Sequence, residues 1–195
     1  MGLEDMLLEI KDTSELMVDL AYSSLLYENQ EIAEEVIQLH GRMDELGDEI
    51  EELAIKRAME DRDPPKALAI IRMSKSVRDI SYAALKIAQV VRSDLPLHPV
   101  IELSLRDSDV IITTAMVHPS SDLAGSTLGS VKLASNSGMY LIAIRRGRRY
   151  IYGPDRDTML IEGDLLFARG PLDAEQYLKD LAAGVEHLEA KDLLR

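Results

Sequence analysis

From Asn29 onward, Ile32, Val36, Leu39, Met43, Leu46, Ile50 and Leu53 recur at alternating spacings of four and three. That alternation is the apolar stripe of a helix packed at a shallow angle on helical neighbours. Asn29 stands where an N-cap belongs, its side-chain oxygen able to accept from the first turn. Ahead of it, Leu3, Met6, Leu7, Ile10, Met17, Leu20, Ala21 and Leu25 make a second amphipathic segment, so Glu28-Asn29 marks a helical hairpin. Asp63-Pro64-Pro65 then joins a capping carboxylate to prolines suited to a first helical turn. A third stripe, Met73, Val77, Ile80, Ala84, Ile87 and Val91, follows and stops before Pro96. Three long helices with short connections imply an antiparallel, up-down-up bundle over residues 1–98.

The pattern then changes. His98-Pro99 opens a short helix through Val100, Ile101, Leu103 and Leu105, and 99–108 has little of the Gly and Ser of a flexible tether, so it reads as an ordered connector. Val110 to Val117 is rich in β-branched residues and predicts a strand. Ser126 is placed to cap a short helix carrying Leu128, Val131 and Leu133, which ends by Gly138. Tyr140, Ile142 and Ile144 alternate with Leu141, Ala143 and Arg145 as far as a turn at Gly147. Tyr150 to Tyr152 return on the partner strand, and Leu165 to Arg169 form the last. A closing helix has Asp173 and Gln176 at capping-box spacing. Residues 109–195 thus predict a small β-α-β-β-β-α domain, and the whole chain a two-domain, α plus α+β protein. So small a sheet leaves edges that a second copy would cover, and a homodimer is expected.

Composition narrows the function. A length of 195 residues fits two small domains. Residues 1–98 carry 21 acidic and 11 basic side chains, and residues 99–195 carry 14 and 11, so the excess acid sits in the helical half. An acidic chain repels phosphate backbones and anionic headgroups, which predicts no nucleic-acid partner. With no cysteine there are no disulfides, zinc-thiolate sites or thiol nucleophiles. The opening Met-Gly-Leu-Glu-Asp lacks the basic start of a signal peptide, and no apolar run approaches the roughly 20 residues of a membrane span. A soluble, cytoplasmic protein without membrane insertion is expected. The four histidines lie far apart, and there is neither a Gly-x-Gly-x-x-Gly turn nor a P-loop, so no enzyme is expected.

Two clusters carry candidate chemistry. Arg145, Arg146, Arg148 and Arg149 bring four guanidinium groups into one hairpin, and guanidinium pairs bidentately with phosphate or carboxylate. The other reading is that they stay hydrated at a sheet edge or meet the acidic helices. Strand alternation sends Arg145 and Arg146 to opposite faces, whereas Tyr150 and Tyr152 share one, where they stack on a base or pack against the sheet. In the helical half, Asp44 and Asp48 lie one turn apart among Glu45, Glu49, Glu51 and Glu52, with His40 a turn away. These acids are either a solvated face or an oxygen site for a cation.

The ordered set Ala124-Gly125-Ser126-Thr127-Leu128-Gly129, Tyr140 to Gly147, Pro154-Asp155, Thr158-Met159-Leu160 and Glu162 to Leu166 resembles the TrkA-C domain, the C-terminal regulatory (RCK C-terminal) module of potassium-channel and transporter gating proteins. The resemblance implies ligand sensing without catalysis. It implies that a small anionic ligand, a nucleotide such as cyclic di-AMP, binds in the cleft between two copies. By that resemblance the site residues are Ile144, Arg145 and Pro154, with Arg146, His118 and Asn136 as additions; no other cofactor is implied.

Ile37 to Ala58 and Val77 to Ala88 resemble a single repeat of PhoU, the helical regulator of phosphate uptake. The PhoU metal motifs, acid-x-x-x-Asp and Glu-Arg-x-x-Asp, read here as His40-x-x-x-Asp44 and Val77-Arg78-Asp79-Ile80-Ser81, with His40, Val77 and Ser81 in place of carboxylates, so no metal site is expected. The two resemblances together imply a cytoplasmic regulatory subunit of a cation, potassium, transport system, partnered by a membrane channel or transporter. The second reading is a PhoU-like adaptor in phosphate uptake.

Overall fold

Asn29 accepts backbone N–H bonds from Glu31 and Ile32 at 3.0 and 3.1 Å, which starts α2 (Gln30–Asp61) directly after the turn that ends α1 (Leu3–Leu26). Asp63 accepts from Lys66 N at 3.2 Å, and Pro64 and Pro65 fill the first turn of α3 (Pro64–Arg92). These are features of a computed structural model that describes residues 2–93 and 110–188. The chain divides into two units, Met1–Arg106 and Asp107–Arg195. The expected connecting helix over 99–108 lies outside the described residues.

The helical unit is a three-helix bundle. Ile10, Met17, Leu20, Ile32, Val36, Leu39, Met43, Leu46 and Ile50 are fully or almost fully buried, as the stripes of α1 and α2 require. Helix α3 departs from expectation. Its buried positions are Ala67, Ser74, Ser81, Ala84, Leu85 and Ala88, whereas Met73 and Ile80 remain 46% and 47% exposed. The helix presents small side chains to its neighbours, and small side chains let helices approach closely. Ser81 holds the contact, donating to Met17 Sδ at 3.3 Å and lying 2.9 Å from His40 Nδ1.

The second unit contains an antiparallel sheet of β1 (Val110–Met116), β2 (Tyr140–Arg146), β3 (Arg149–Tyr152) and β4 (Leu165–Pro171), in the order β1-β4-β2-β3. Between β1 and β2 run two short helices, α4 (Leu128–Val131) and α5 (Leu133–Ser137), and a 3-10 turn at Leu172–Ala174 leads into α6 (Glu175–Ala183). The β-α-β-β-β-α order stands, with the first helix broken in two at Lys132, whose φ is 46°.

Two expected caps differ. Thr127, not Ser126, caps α4, accepting from Ser130 N at 3.2 Å, while the Ser126 hydroxyl turns back to the Asp122 carbonyl. Nor do Asp173 and Gln176 form a capping box. The 3-10 turn moves the helix start to Glu175, and Gln176 donates to Asp180 instead.

One face of the sheet carries the core. Ala115, Ile144, Leu166 and Ala168 pack there with Leu123, Val131, Met139, Leu160, Leu178 and Leu181. Burying the larger of these, the Leu, Ile, Val and Met side chains, contributes about 1.5–3 kcal/mol each. The sheet's other face is where the candidate site lies.

Candidate ligand-binding site

Strand register decides which side chains meet. Arg145 stands opposite Tyr150 on β3 and Leu165 on β4, and Ala143 opposite Tyr152 and Phe167. Paired residues share a face, so Arg145, Tyr150, Tyr152 and Phe167 lie together on the side away from the helices. Tyr150 and Tyr152 stack at 5.9 Å between ring centres and 13° between planes, and Tyr150 also tilts against Phe167 at 6.2 Å. Phe167 is fully buried beneath this layer, although it is on the face without the core. Arg145 is half-buried, and Met116 and Tyr140, on the same face, are exposed at 60% and 65%. The face thus sets the Arg145 guanidinium beside two parallel phenol rings, with the exposed Arg169 further along it opposite Tyr140. An anionic group suits the first and a planar base the second.

Arg146 points the other way and is engaged. Its Nε and Nη2 donate to the two carboxylate oxygens of Asp164 at 2.8 Å each, and Nη2 also donates to the Met159 carbonyl at 2.7 Å. Asp164 is wholly buried and also accepts from Ile161 N at 2.9 Å. The hydrogen bonds to Asp164 raise the Arg146 pKa against the opposing effect of burial. This guanidinium locks the turn before β4 to β2. Arg148 and Arg149 are exposed at the hairpin, where Gly147 takes φ 61° in a two-residue loop.

The other expected site residues are dispersed. Ile144 is fully buried in the core. His118 is exposed, with Nδ1 2.7 Å from Ser120 Oγ. Asn136 donates to the Val131 carbonyl at 3.0 Å, closing the α4–α5 turn. Pro154 lines a cleft of about 230 Å³ with Gly129, Lys132, Tyr140, Asp155 and Arg156. Sequence reading passed over Lys132 and Arg156, the two cations of this cleft. Gly129 was the available signal, because a Cβ there would meet the Arg156 carbonyl at 2.9 Å, and its N–H donates to that oxygen at 2.7 Å. Nothing in sequence flags the positive φ of Lys132.

In the helical unit, the acidic cluster already holds a cation. Arg78 reaches Asp44, Asp48 and Glu51 at 3.3, 3.1 and 3.4 Å, with His40 Nε2 3.6 Å from Asp44. Among the described residues no group of three or more His, Asp or Glu could hold a metal ion. The donor set does not fit a PhoU-type metal site, since His40, Val77 and Ser81 stand where its motifs place carboxylates. Gly47 makes room for the guanidinium, because a Cβ there would come within 2.4 Å of Arg78 Cδ.

Residues 112–183 match the TrkA-C domain and residues 7–91 the PhoU domain. The chain carries a PhoU domain followed by a TrkA-C domain. No curated protein matches it. Among solved structures, it is similar to the RCK_C domain dimer of S. agalactiae BusR in complex with c-di-AMP, at 20% identity over 38% of this chain and 97% of that one, TM-score 0.34. It is also similar to the GsuK channel bound to NAD, at 16% identity over 60% of this chain, TM-score 0.35, and to S. agalactiae BusR with its busA-promoter DNA, at 12% identity over 67%, TM-score 0.36. The chain spans 21% of the GsuK chain and 65% of that BusR chain. These likenesses lend no support to the expectation of no nucleic-acid partner. Among the described residues no helix is long and apolar enough to cross a membrane.

Proposed function

We propose that this chain is a cytoplasmic, non-catalytic regulatory subunit of a potassium transport system, whose TrkA-C domain pairs with a second copy and senses a small anionic nucleotide. The observation that carries the proposal is the placement of Arg145 beside the Tyr150–Tyr152 stack within the TrkA-C match. The sheet ends in β1 and β3, and pairing along β3 brings Arg145 and its tyrosines toward their counterparts in the second copy. Cyclic di-AMP has the two bases and two phosphates that a doubled site of this kind would take. A ligand that prefers one dimer geometry shifts its population, and the helical domain passes that change to a channel or transporter.

A thermal-shift screen of mono- and cyclic dinucleotides tests the reading. A ligand of the native state raises the melting temperature by mass action, and Arg145→Ala should abolish most of the rise. Unchanged melting with every nucleotide, or an equal rise in the variant, contradicts it. The adaptor reading in phosphate uptake has less behind it, because His40, Val77 and Ser81 stand where the PhoU metal motifs have carboxylates.

A further inference from the structure

We propose that the outer face of α3 is a pairing seam for a second copy of this chain, with the two α3 helices antiparallel. Besides the small-residue stripe it buries in its own bundle, the helix carries a second stripe, Met73, Ser76, Ile80, Ala83, Ile87 and Val90, at alternating spacings of three and four. Met73, Ile80 and Val90 are 46%, 47% and 43% exposed, Ser76 and Ala83 are exposed and Ile87 is half-buried. A stripe kept at this spacing for nearly three heptads is the seam by which one helix packs along another. Among the described residues of its own unit, no helix covers this stripe.

Side-chain size and charge identify the occupant. Large residues (Met73, Ile80, Ile87) alternate with smaller ones (Ser76, Ala83, Val90). A parallel pair in register would set Ser76 on Ser76 and Ala83 on Ala83 and leave voids at those layers. An antiparallel pair sets Ile80 opposite Ala83 of the second copy, Ser76 opposite Ile87 and Met73 opposite Val90, so that every layer joins a larger to a smaller side chain. In this register the flanking Asp79 faces Lys86 of the second copy, and symmetry repeats the pair. Both residues are exposed. No like charges meet along that flank, where Arg72 falls opposite Ser93. Size matching selects the antiparallel orientation, and charge matching selects this register within it, since a shift of one heptad either way would set Asp79 against Asp79 or Lys86 against Lys86. This seam is separate from the pairing of the TrkA-C domains and does not depend on it.

The chain has no native cysteine, so the register can be read by disulfide formation in the full-length protein. Met73 and Val90 lie about 25 Å apart along one helix, too far to bridge within a chain. The double variant M73C/V90C should form covalent dimers on mild oxidation, while M73C and V90C alone should form at least tenfold less. Adding I80K to the double variant should remove the cross-link. In that same double-cysteine background, D79K and K86D should each weaken it several-fold, and D79K together with K86D should restore it. Circular dichroism confirms that each variant remains helical. A dimer held only through the TrkA-C domains would sediment as a dimer and give no cross-link, so the two interfaces are read separately. Cross-linking by M73C alone would establish a parallel seam, and no cross-link in the double variant would leave the face to another protein; either result overturns the proposal.

Discussion

Gly41 and Gly47 both lie inside α2, yet a methyl group meets nothing within 4 Å at the first and Arg78 at the second. Gly41→Ala should therefore stabilise the helical unit by about 0.5–1 kcal/mol, the ordinary gain for a helix interior. Gly47→Ala should forgo that gain, because Arg78 must leave its three carboxylates, and chemical denaturation of the two variants side by side measures the contrast. The arginine hairpin shows the same dependence on context. Arg145 and Arg146 are neighbours in sequence, but they face opposite sides of the sheet, and Arg146 neutralises a buried carboxylate. Arg146→Met should cost the TrkA-C domain about 3 kcal/mol or more, since it strands Asp164 without its cation. Arg145→Ala should leave the fold intact.

Elements follow from sequence where a local signal and the packing agree. Asn29 and Asp63 cap the helices they were expected to cap, and Asn29→Ala should cost about 1 kcal/mol in thermal melting. The α3 stripe shows the opposite case. Periodicity identified a helix, but the expected stripe straddles the edge of the buried face: Ala84 is buried and Val77, Ile87 and Val91 are half-buried, while Met73 and Ile80 are exposed. Likewise Ser126 and Thr127 are both good caps, and only the fold of the preceding loop, which takes the Ser126 hydroxyl to Asp122, selects Thr127. The residues beyond α6 add a pH effect. The Leu188 N–H, opposed by burial and aided by His187, holds the Asp122 carboxyl below its ordinary 3.8. A carboxylate lowered in the folded state stabilises above its unfolded pKa and loses that contribution as pH falls through the folded value. Asp122→Asn should therefore flatten the acid side of the melting profile below about pH 4.

At the scale of the molecule, and among the described residues, the order of helices and strands was legible apart from the break between α4 and α5, because the other elements carry their own period and breaker. The site was legible only in part. Alternation correctly separated Arg145 from Arg146, but the buried Asp164 that captures Arg146 comes 18 residues later and meets it only through the β2–β4 register. Lys132 and Arg156 reach their cleft through a left-handed residue and a loop carbonyl, which no periodicity encodes. Since Arg78 already fills the acidic cluster, chelators should leave the melting temperature unchanged, whereas Arg78→Met should lower it and make it respond to divalent cations.

The central claim is that two TrkA-C domains share one small anionic ligand. Titration calorimetry of the full chain with cyclic di-AMP tests it most directly. Saturable binding with one nucleotide per two chains, lost in Arg145→Ala, is expected. Binding of one nucleotide per chain, binding indifferent to that substitution, or no heat at all would contradict it.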